Sequence, residues 1–350
     1  MPRSAPRRID ACRLLACPEL RVLIVKLSSL GDVLHAMPVV HDIQAAHPGA
    51  QVDWVVEPGF APLVRRVQGI GTVIDCAQRR WRRQWWTAKT RGEWRVFKQQ
   101  LQASPYDAVI DLQGLLKSAL VARLARGRRF GLANRTEGSG YEWPVRWMVD
   151  QAISMPPHIH ALDRSRQLAA RALGYTVAGT PQFGLSTRAP RLHQPTVVFA
   201  HGASRDDKLW PEANWLALGL RCTAAGWQVA LPHGSPAERE RAERLAALLG
   251  PSAQVWPSLP LDELAERMGA CHGVVGVDSG LSHLAVALGL PHLQLYNTPT
   301  AWRTGPQPAH GHQHQRSLGG TSEAMTPPPL EWVWAEWQQI LAAAPAAGVA

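Results

Sequence analysis

The sequence predicts an α/β protein with two doubly wound parallel sheets, one in each half of the chain. Short apolar runs of strand length alternate with helix-period stretches along the 350 residues. Several of these runs are followed directly by glycine, serine and aspartate, and a segment rich in proline, glycine and serine at 179–195 separates the halves. A hydrophobic content of 46% is ample for two cores.

These signals give the predicted domain bounds. We predict an N-terminal domain over 21–180, a linker over 181–195 and a C-terminal domain over 196–350 that ends in a closing helix. Residues 1–20 carry four arginines and no continuous apolar run, so we interpret them as a disordered basic extension and not as a secretory signal. No apolar stretch approaches the roughly 18 to 20 residues that a membrane span needs.

The first predicted strand, at 22–25, leads through a short loop into a predicted helix. Apolar residues recur at i, i+4 and i+7 after Asp32, which places Gly31 and Asp32 at the helix start. Backbone N–H groups there lack intrahelical partners, and the helix dipole favours an anion. Ser28, Ser29 and Asp32 are equally well explained as capping residues, so capping and function both stay open.

Three further strands are predicted in the first half, at 52–56, 72–75 and 108–111. The last of them is followed by polar groups and a glycine, where ligands bind in open α/β sheets. A helix-period stretch covers 158–173 and precedes the linker.

The second half repeats this pattern. Its predicted strands lie at 196–200, 227–231, 273–277 and 292–296, and its clearest helices at 237–249 and 330–341. Asp278-Ser279-Gly280 at a helix start suits a diphosphate, and Lys208 adds a positive charge, although the same tripeptide also caps helices. Because no G-x-G-x-x-G follows the first strand and no P-loop motif is present, the dehydrogenase and P-loop interpretations lose support.

The net charge of +10 predicts an anionic partner without naming it. Four arginines lie at 79–83, and Trp85 and Trp86 follow them. This composition suits base stacking, a membrane interface or forked contacts to carboxylates and phosphates, and a solvated surface is the simple alternative.

Cysteine and histidine usage predicts neither a disulfide framework nor a metal site. Five cysteines without a C-x-x-C pair fit a reducing cytosol. The histidines at 310, 312 and 314 have no acidic or cysteine ligand beside them, so we favour a plain loop.

Several segments together resemble the lipopolysaccharide heptosyltransferase I branch of glycosyltransferase family 9. The resemblance covers about 21–345 and is carried by RVLIVKLSSLGDVLHAMPVV, RRWRR, HGASRDDKLWPE, LPHGSPAERER and VDSGLSHLAVAL. It implies the GT-B fold, two Rossmann-like domains with the acceptor on the first and ADP-heptose on the second. It also implies that 79–83 belong to a mobile loop.

The resemblance assigns roles to individual residues. Asp32 matches the catalytic base, and Lys208 matches a residue acting on the leaving group. Ala203, Leu259 and Ser279 stand where the family more often has threonine, methionine and threonine. The matching donor positions are Ala203, Ser204, Lys208, Glu238, Leu259, Asp278, Ser279, Gly280 and His283. The matching acceptor positions are Ser29, Gly31, Arg79, Arg80, Arg82, Arg83, Gln113, Lys117 and Arg135.

The implied activity is inverting transfer of L-glycero-D-manno-heptose from ADP-heptose to the Kdo of Kdo2-lipid A, without a cofactor or metal ion. The implied protein is a monomer in peripheral contact with the cytoplasmic face of the inner membrane. Two alternatives stay open on the residues alone. One is a GT-B enzyme for another nucleotide sugar, including an epimerase, and the other is a non-catalytic binder of nucleic acid or anionic lipid.

Overall fold

The computed structural model describes residues 20–307, 310–311, 313–320 and 326–344. The chain divides into two compact units, with 35–184 and the residues up to 28 in the first, and 29–34 and the residues from 185 in the second. The boundary at 184 falls inside the predicted linker, whereas 29–34 group with the second unit. The extension predicted at 1–20 lies, apart from Leu20, outside the described residues, and so does His312.

The first unit contains a six-stranded sheet with the order β3-β2-β1-β4-β5-β6. All of its pairings are parallel, as the sequence predicts. Two of its strands were not predicted, because β5 contains two arginines and β6 has only three residues. The strands are β1 (Arg21–Val25), β2 (Gln51–Val56), β3 (Ile70–Asp75), β4 (Tyr106–Asp111), β5 (Gly127–Leu132) and β6 (Gln151–Ile153).

The helices before β7 correct two sequence predictions. The predicted single helix after β1 is two helices, because Pro38 occupies the first turn of a new one. The basic residues at 79–83 lie in a helix and not in a loop, since Trp81 is buried on its inner face. The helices are α1 (Leu30–Leu34), α2 (Pro38–Ala46), α3 (Ala61–Val64), α4 (Gln78–Gln84), α5 (Ala88–Leu101), α6 (Leu116–Leu124) and α7 (Ala161–Leu173), with a 3-10 turn at Trp143–Trp147.

The second unit contains another parallel six-stranded sheet, with the order β12-β11-β10-β7-β8-β9. The sequence predicts the four apolar strands but misses β9, which is short, and β12, which is polar. The strands are β7 (Thr196–Ala200), β8 (Gln228–Leu231), β9 (Ala253–Val255), β10 (Gly273–Val277), β11 (His292–Tyr296) and β12 (Gln315–Gly319).

Helices cover this sheet and bury large aromatic residues against it. Phe199 and Trp215 pack with ring centroids 5.0 Å apart, and Trp337 of the last helix joins the same core. The predicted closing helix is therefore present as a packing element. The helices are α8 (Glu212–Ala224), α9 (Pro236–Leu249), α10 (Leu261–Gly269), α11 (Gly280–Ala287), α12 (Ala301–Thr304) and α13 (Leu330–Ala343).

Both sheets share one topology. Read from β9 to β12, the second sheet has the order 3-2-1-4-5-6 of the first, which is the order of dinucleotide-binding folds. Ligands of such sheets bind at the carboxyl ends of the two central strands, where the strand order reverses. These strands are β1 and β4 in the first unit and β7 and β10 in the second. None of the described helices is both long enough and apolar enough to cross a membrane.

Candidate active site

The central strands of the second sheet place two predicted site loops side by side. Strands β7 and β10 pair in parallel, with Ala200 opposite Gly276. The segments that begin at His201 and at Asp278 therefore leave the sheet at the same edge. This explains how Lys208 and Asp278, which are 70 positions apart, come into contact.

Asp278 is the centre of a charged cluster. Lys208 Nζ donates a 2.6 Å hydrogen bond to Asp278 Oδ2, and His283 Nε2 lies 3.3 Å from Asp278 Oδ1. The carboxylate is only 5% exposed. Burial would raise its pKa, but the hydrogen bond and charge from His283 and the charge of Lys208 outweigh burial and hold the pKa well below its usual range. Asp278 is therefore ionised at neutral pH.

Ser279 and the start of α11 provide groups that suit an anion. Ser279 precedes the helix with extended backbone, yet its hydroxyl does not cap the first turn. The buried Ser279 Oγ has no hydrogen-bond partner among the described residues. Free N–H groups and the positive end of the helix dipole add to this hydroxyl and to the Lys208 ammonium. The cluster can therefore hold a diphosphate, as the sequence predicts.

Asp32 lies in the short helix α1, which packs on α11. Close approach depends on two glycines, since a Cβ on Gly31 would lie 2.5 Å from His283 Cδ2 and one on Gly280 would lie 2.7 Å from Leu30 Cδ2. Asp32 Oδ2 accepts hydrogen bonds from Ser29 N, at 3.2 Å, and Ser29 Oγ, at 2.9 Å. The bond from Ser29 N is the one that the third helical residue makes in a capping box, and the two bonds together fix the carboxylate in orientation. Capping and catalysis are thus compatible for this residue.

Glu238 connects two other loops of the second unit. Its Oε2 accepts a 2.6 Å hydrogen bond from Gly234 N, and its side chain lies against Gly202, where a Cβ would clash. Ser235 Oγ accepts a 3.3 Å bond from Glu238 N, which caps α9. The remaining predicted donor residues differ in exposure, because Ser204 is exposed and Ala203 and Leu259 are half-buried. Their predicted roles stay predictions.

His201 and Arg241 support the loop that follows β7. His201 is fully buried, and desolvation followed by the nearby Arg241 charge lowers its pKa to about 4. Arg241 donates a 3.1 Å hydrogen bond to the His201 carbonyl. His201 is therefore neutral at physiological pH. The contact of Arg241 with this loop could not be predicted from the sequence, because Arg241 is one of several charged residues on its helix.

The central strands of the first sheet position two predicted acceptor residues. Gln113 Oε1 accepts a 2.8 Å hydrogen bond from Leu27 N, and Lys117 Nζ donates a 3.1 Å bond to Ser28 Oγ. Both residues follow β4, at the carboxyl edge. The sequence missed the buried Lys26, whose charge lies near Asp111. Burial raises the pKa of Asp111 to about 6 despite hydrogen bonds from neighbouring N–H groups and a hydroxyl.

The arginines of α4 are not equivalent. Arg80 forms a 2.7 Å ion pair with Glu93, which also accepts a 2.9 Å bond from Trp81 Nε1. Within the described part of the chain, Arg82 and Arg83 are exposed and form no ion pair. Arg79 and Arg135 are exposed as well. Among the described residues, Arg82 and Arg83 thus present guanidinium groups without an ion pair, whereas the charge of Arg79 lies near the Glu57 carboxylate.

Two units with dinucleotide-type strand order, one of which carries a site that suits a diphosphate, are the elements of which a GT-B glycosyltransferase consists. A solved structure of E. coli heptosyltransferase WaaC with ADP matches this chain with a TM-score of 0.80 and 35% identity, covering 92% of this chain and 100% of WaaC. The family model described as glycosyltransferase family 9 (heptosyltransferase) matches residues 94–323. The chain therefore belongs to glycosyltransferase family 9, and the predicted fold, family and enzyme class are confirmed.

Curated relatives agree with this assignment. Lipopolysaccharide heptosyltransferase 1 of Pseudomonas aeruginosa is 42% identical, over 82% of this chain and 81% of the relative. The Escherichia coli K12 protein of the same name is 41% identical, over 79% of this chain and 88% of the relative. Lipopolysaccharide heptosyltransferase 2 of the same strain is 27% identical. The chain is thus more similar to these type 1 proteins than to this type 2 protein.

Proposed function

We propose that this protein transfers L-glycero-D-manno-heptose from ADP-heptose to the Kdo of Kdo2-lipid A, with inversion at the anomeric carbon, in lipopolysaccharide inner-core synthesis. The type 1 relatives support the reaction, and WaaC structures with ADP and with ADP-2-deoxy-2-fluoro heptose support the donor. The observation that carries the proposal is the Lys208–Asp278–His283 cluster at the start of α11, the helix against which the Asp32 helix packs.

Lys208 and the start of α11 hold the donor diphosphate in this proposal. The Lys208 side chain is 22% exposed, so its ammonium can bind Asp278 and still reach a ligand. The Ser279 hydroxyl and the N–H groups of Ser279 and Gly280 complete the anion site. The carboxylates of Asp278 and Glu238 accept hydrogen bonds from hydroxyl groups of ADP-heptose. The other proposed contacts to ADP-heptose are made by Ala203, Ser204, Leu259 and His283.

The chemistry is a single in-line displacement. The Kdo hydroxyl oxygen bonds to the anomeric carbon while the bond from that carbon to the ADP oxygen breaks, and the hydroxyl proton passes to Asp32. A carboxylate is a weak base at neutral pH, so Asp32 accepts the proton late, after the bond to carbon is largely formed. Lys208 and the α11 N–H groups stabilise the charge on departing ADP. No cofactor or metal ion is assigned a step, so we expect chelation with EDTA to leave the rate unchanged.

The acceptor is proposed to bind through the basic residues of the first unit. Arg79, Arg82, Arg83 and Lys117 offer forked or point contacts to the carboxylates and phosphates of Kdo2-lipid A. Arg80 is already held by Glu93, so its contribution is smaller. Arg135, Gln113, Ser29 and Gly31 complete the proposed acceptor set.

Because this acceptor is a membrane lipid, the reaction is proposed to take place at the cytoplasmic face of the inner membrane. The enzyme is proposed to act there as a monomer in peripheral contact with the lipid surface. Density-gradient fractionation and light scattering test these two points separately.

Product analysis tests the function. The protein is incubated with ADP-heptose and Kdo2-lipid A, and the lipid is analysed by mass spectrometry, with UDP-sugars as the control donors. The proposal predicts addition of one heptose from ADP-heptose alone. Transfer from a UDP-sugar without transfer from ADP-heptose would favour another nucleotide-sugar enzyme of the same fold.

A further inference from the structure

The helical hairpin of α4 and α5 contains basic and aromatic residues that are not among the proposed acceptor contacts. Residues 78–101 contain eight basic residues, one acidic residue and four tryptophans. The basic residues of α5 have no role in the acceptor set. Their surroundings point to a second interaction.

The turn between α4 and α5 exposes two adjacent indoles. Trp85 is 67% exposed and Trp86 is 62% exposed. Beneath them, Trp81, Trp94 and Phe97 form a ring cluster with centroids 5.3 to 5.5 Å apart, which fixes the hairpin. Exposed large aromatic residues on a rigid element usually mark an interaction site.

A basic stripe continues from this turn along α5. Arg91, Arg95 and Lys98 recur at i, i+4 and i+7, so they share one helical face. Together with Trp85 and Trp94 they line an open groove of about 960 Å³. We call Trp85, Trp86, Arg91, Arg95 and Lys98 the aromatic–basic surface.

The charge of this surface is not neutralised within the described residues. Glu93, the acid of the hairpin, is engaged by Arg80 and by Trp81 Nε1. Arg91 donates to the Trp86 carbonyl, and neither it nor Arg95 nor Lys98 forms an ion pair among the described residues. The surface is therefore complementary to a partner that is both anionic and partly apolar.

We propose that the aromatic–basic surface docks the enzyme on an anionic phospholipid bilayer. Indoles prefer the headgroup region of a bilayer, and basic side chains are attracted to anionic lipids there. Lysine and arginine stems also cover apolar surface while their charges reach phosphates. The choice of a bilayer rests on the proposed function, because a lipid acceptor holds the reaction at the membrane while no described helix crosses it.

Vesicle binding of charge variants tests the basic stripe. Cosedimentation is measured with vesicles of phosphatidylglycerol and phosphatidylcholine and with vesicles of phosphatidylcholine alone. Each basic residue removed weakens binding to anionic vesicles about fivefold, so the double variant Arg95→Gln/Lys98→Gln should bind more than tenfold more weakly. The control Arg188→Gln/Arg191→Gln removes the same charge from exposed positions of the second unit and should bind like wild type.

A double tryptophan variant and its control test the role of the exposed turn in vesicle binding. Trp85→Ala/Trp86→Ala should weaken vesicle binding roughly tenfold, because two exposed indoles that would enter the headgroup region of the bilayer are lost. Trp332→Ala, which removes an indole that is 64% exposed in the second unit, should leave binding unchanged. Heptose transfer to a deacylated, water-soluble acceptor should be equal in all of these variants, which shows that each is folded.

The outcomes separate this inference from the proposed function. Equal vesicle binding by surface and control variants would overturn the docking surface, as would binding of wild type to single-stranded DNA but not to vesicles. Heptose transfer in detergent without vesicle binding would overturn the docking surface and support the proposed enzyme activity. If the surface variants bind vesicles more weakly than the controls but wild type transfers no heptose, the docking surface is supported and the proposed function is overturned.

Discussion

Asp42 and Asp278 are buried carboxylates that each pair with a cation, and the two pairs differ in the hydrogen-bonding groups that remain available to a ligand. Asp42 and Arg166 in the first unit form a bidentate pair, with both N–O distances 2.7 Å. The guanidinium also donates to the carbonyls of Ala178 and Gly179, at 3.2 and 3.4 Å. Asp278 and Lys208 in the second unit share one hydrogen bond, and the lysine is partly exposed.

The difference lies in the remaining hydrogen-bonding capacity. The planar fork of Arg166 is used by the protein itself, so this pair joins α2, α7 and the segment before the linker. The ammonium of Lys208 has donors to spare, and the neighbouring Ser279 hydroxyl has no partner in the described residues. Burial of an ion pair therefore does not by itself indicate a ligand site, whereas unused donors beside such a pair are groups that a ligand can bind.

The largest expected effect is on turnover. Asp32→Asn keeps an oxygen that can accept from Ser29 and removes the base, so we expect kcat to fall about 10²- to 10⁴-fold with nearly unchanged ADP affinity. Steady-state kinetics and calorimetry measure the two quantities. Near-normal turnover in the Asn variant would show that Asp32 is a capping residue and not the base.

Substitution in the Asp42–Arg166 pair should lower the free energy of unfolding and leave kcat unchanged. Arg166→Met leaves Asp42 buried without its partner, which we expect to cost about 3 to 5 kcal/mol in the free energy of unfolding. Urea unfolding measures this loss. The double variant Asp42→Leu/Arg166→Met should recover most of it, because no unpaired charge remains. A loss of kcat at temperatures where the single variant is folded would contradict the structural role.

Asp111 extends the comparison to a carboxyl whose hydrogen bonds come from neutral groups. Its pKa of about 6 in the folded state lies above the unfolded value, so its contribution to stability is present below about pH 4 and is lost as pH rises through about 6. The loss amounts to about 3 kcal/mol at most. We expect Asp111→Asn to remove this part of the pH dependence between pH 4 and 7, as measured by urea unfolding. An identical slope in both proteins would show that another group causes it.

The smallest effect concerns the arginines of α4. Arg82→Gln/Arg83→Gln should raise the acceptor KM about tenfold, less at high salt, and leave the KM of ADP-heptose alone. Arg80→Gln should have a smaller effect, because Glu93 already holds that guanidinium. Glu93→Gln releases Arg80 and should lower the acceptor KM. Equal KM values in all four proteins would exclude the α4 arginines from acceptor binding.

The sequence predicted the parts of the fold that depend on short apolar runs. Strands such as β7 and β10 are continuous and β-branched, and they match their predicted bounds. Strands β5 and β12 contain arginine and become strands through neighbouring pairings that composition does not show. The α4 helix was missed for a similar reason, since its one buried apolar residue is Trp81.

The candidate site was predictable where its members are close in sequence. His283 and Asp278, both donor positions in the resemblance, are five positions apart at one helix start, and the structure places His283 Nε2 3.3 Å from Asp278 Oδ1. Asp42 and Arg166 are 124 positions apart, and neither stands in a recognisable pattern. Their pairing depends on how α2 and α7 pack, which the sequence does not show.

Calorimetric titration of ADP tests the central claim, that Lys208–Asp278 is an open ligand site and Asp42–Arg166 a closed structural pair. Wild type, Lys208→Ala and Arg166→Met are compared at a temperature where all three are folded. We expect ADP to bind wild type and Arg166→Met equally and to bind Lys208→Ala at least tenfold more weakly, since one charge-assisted contact to the diphosphate is lost. Equal affinity for wild type and Lys208→Ala would contradict it.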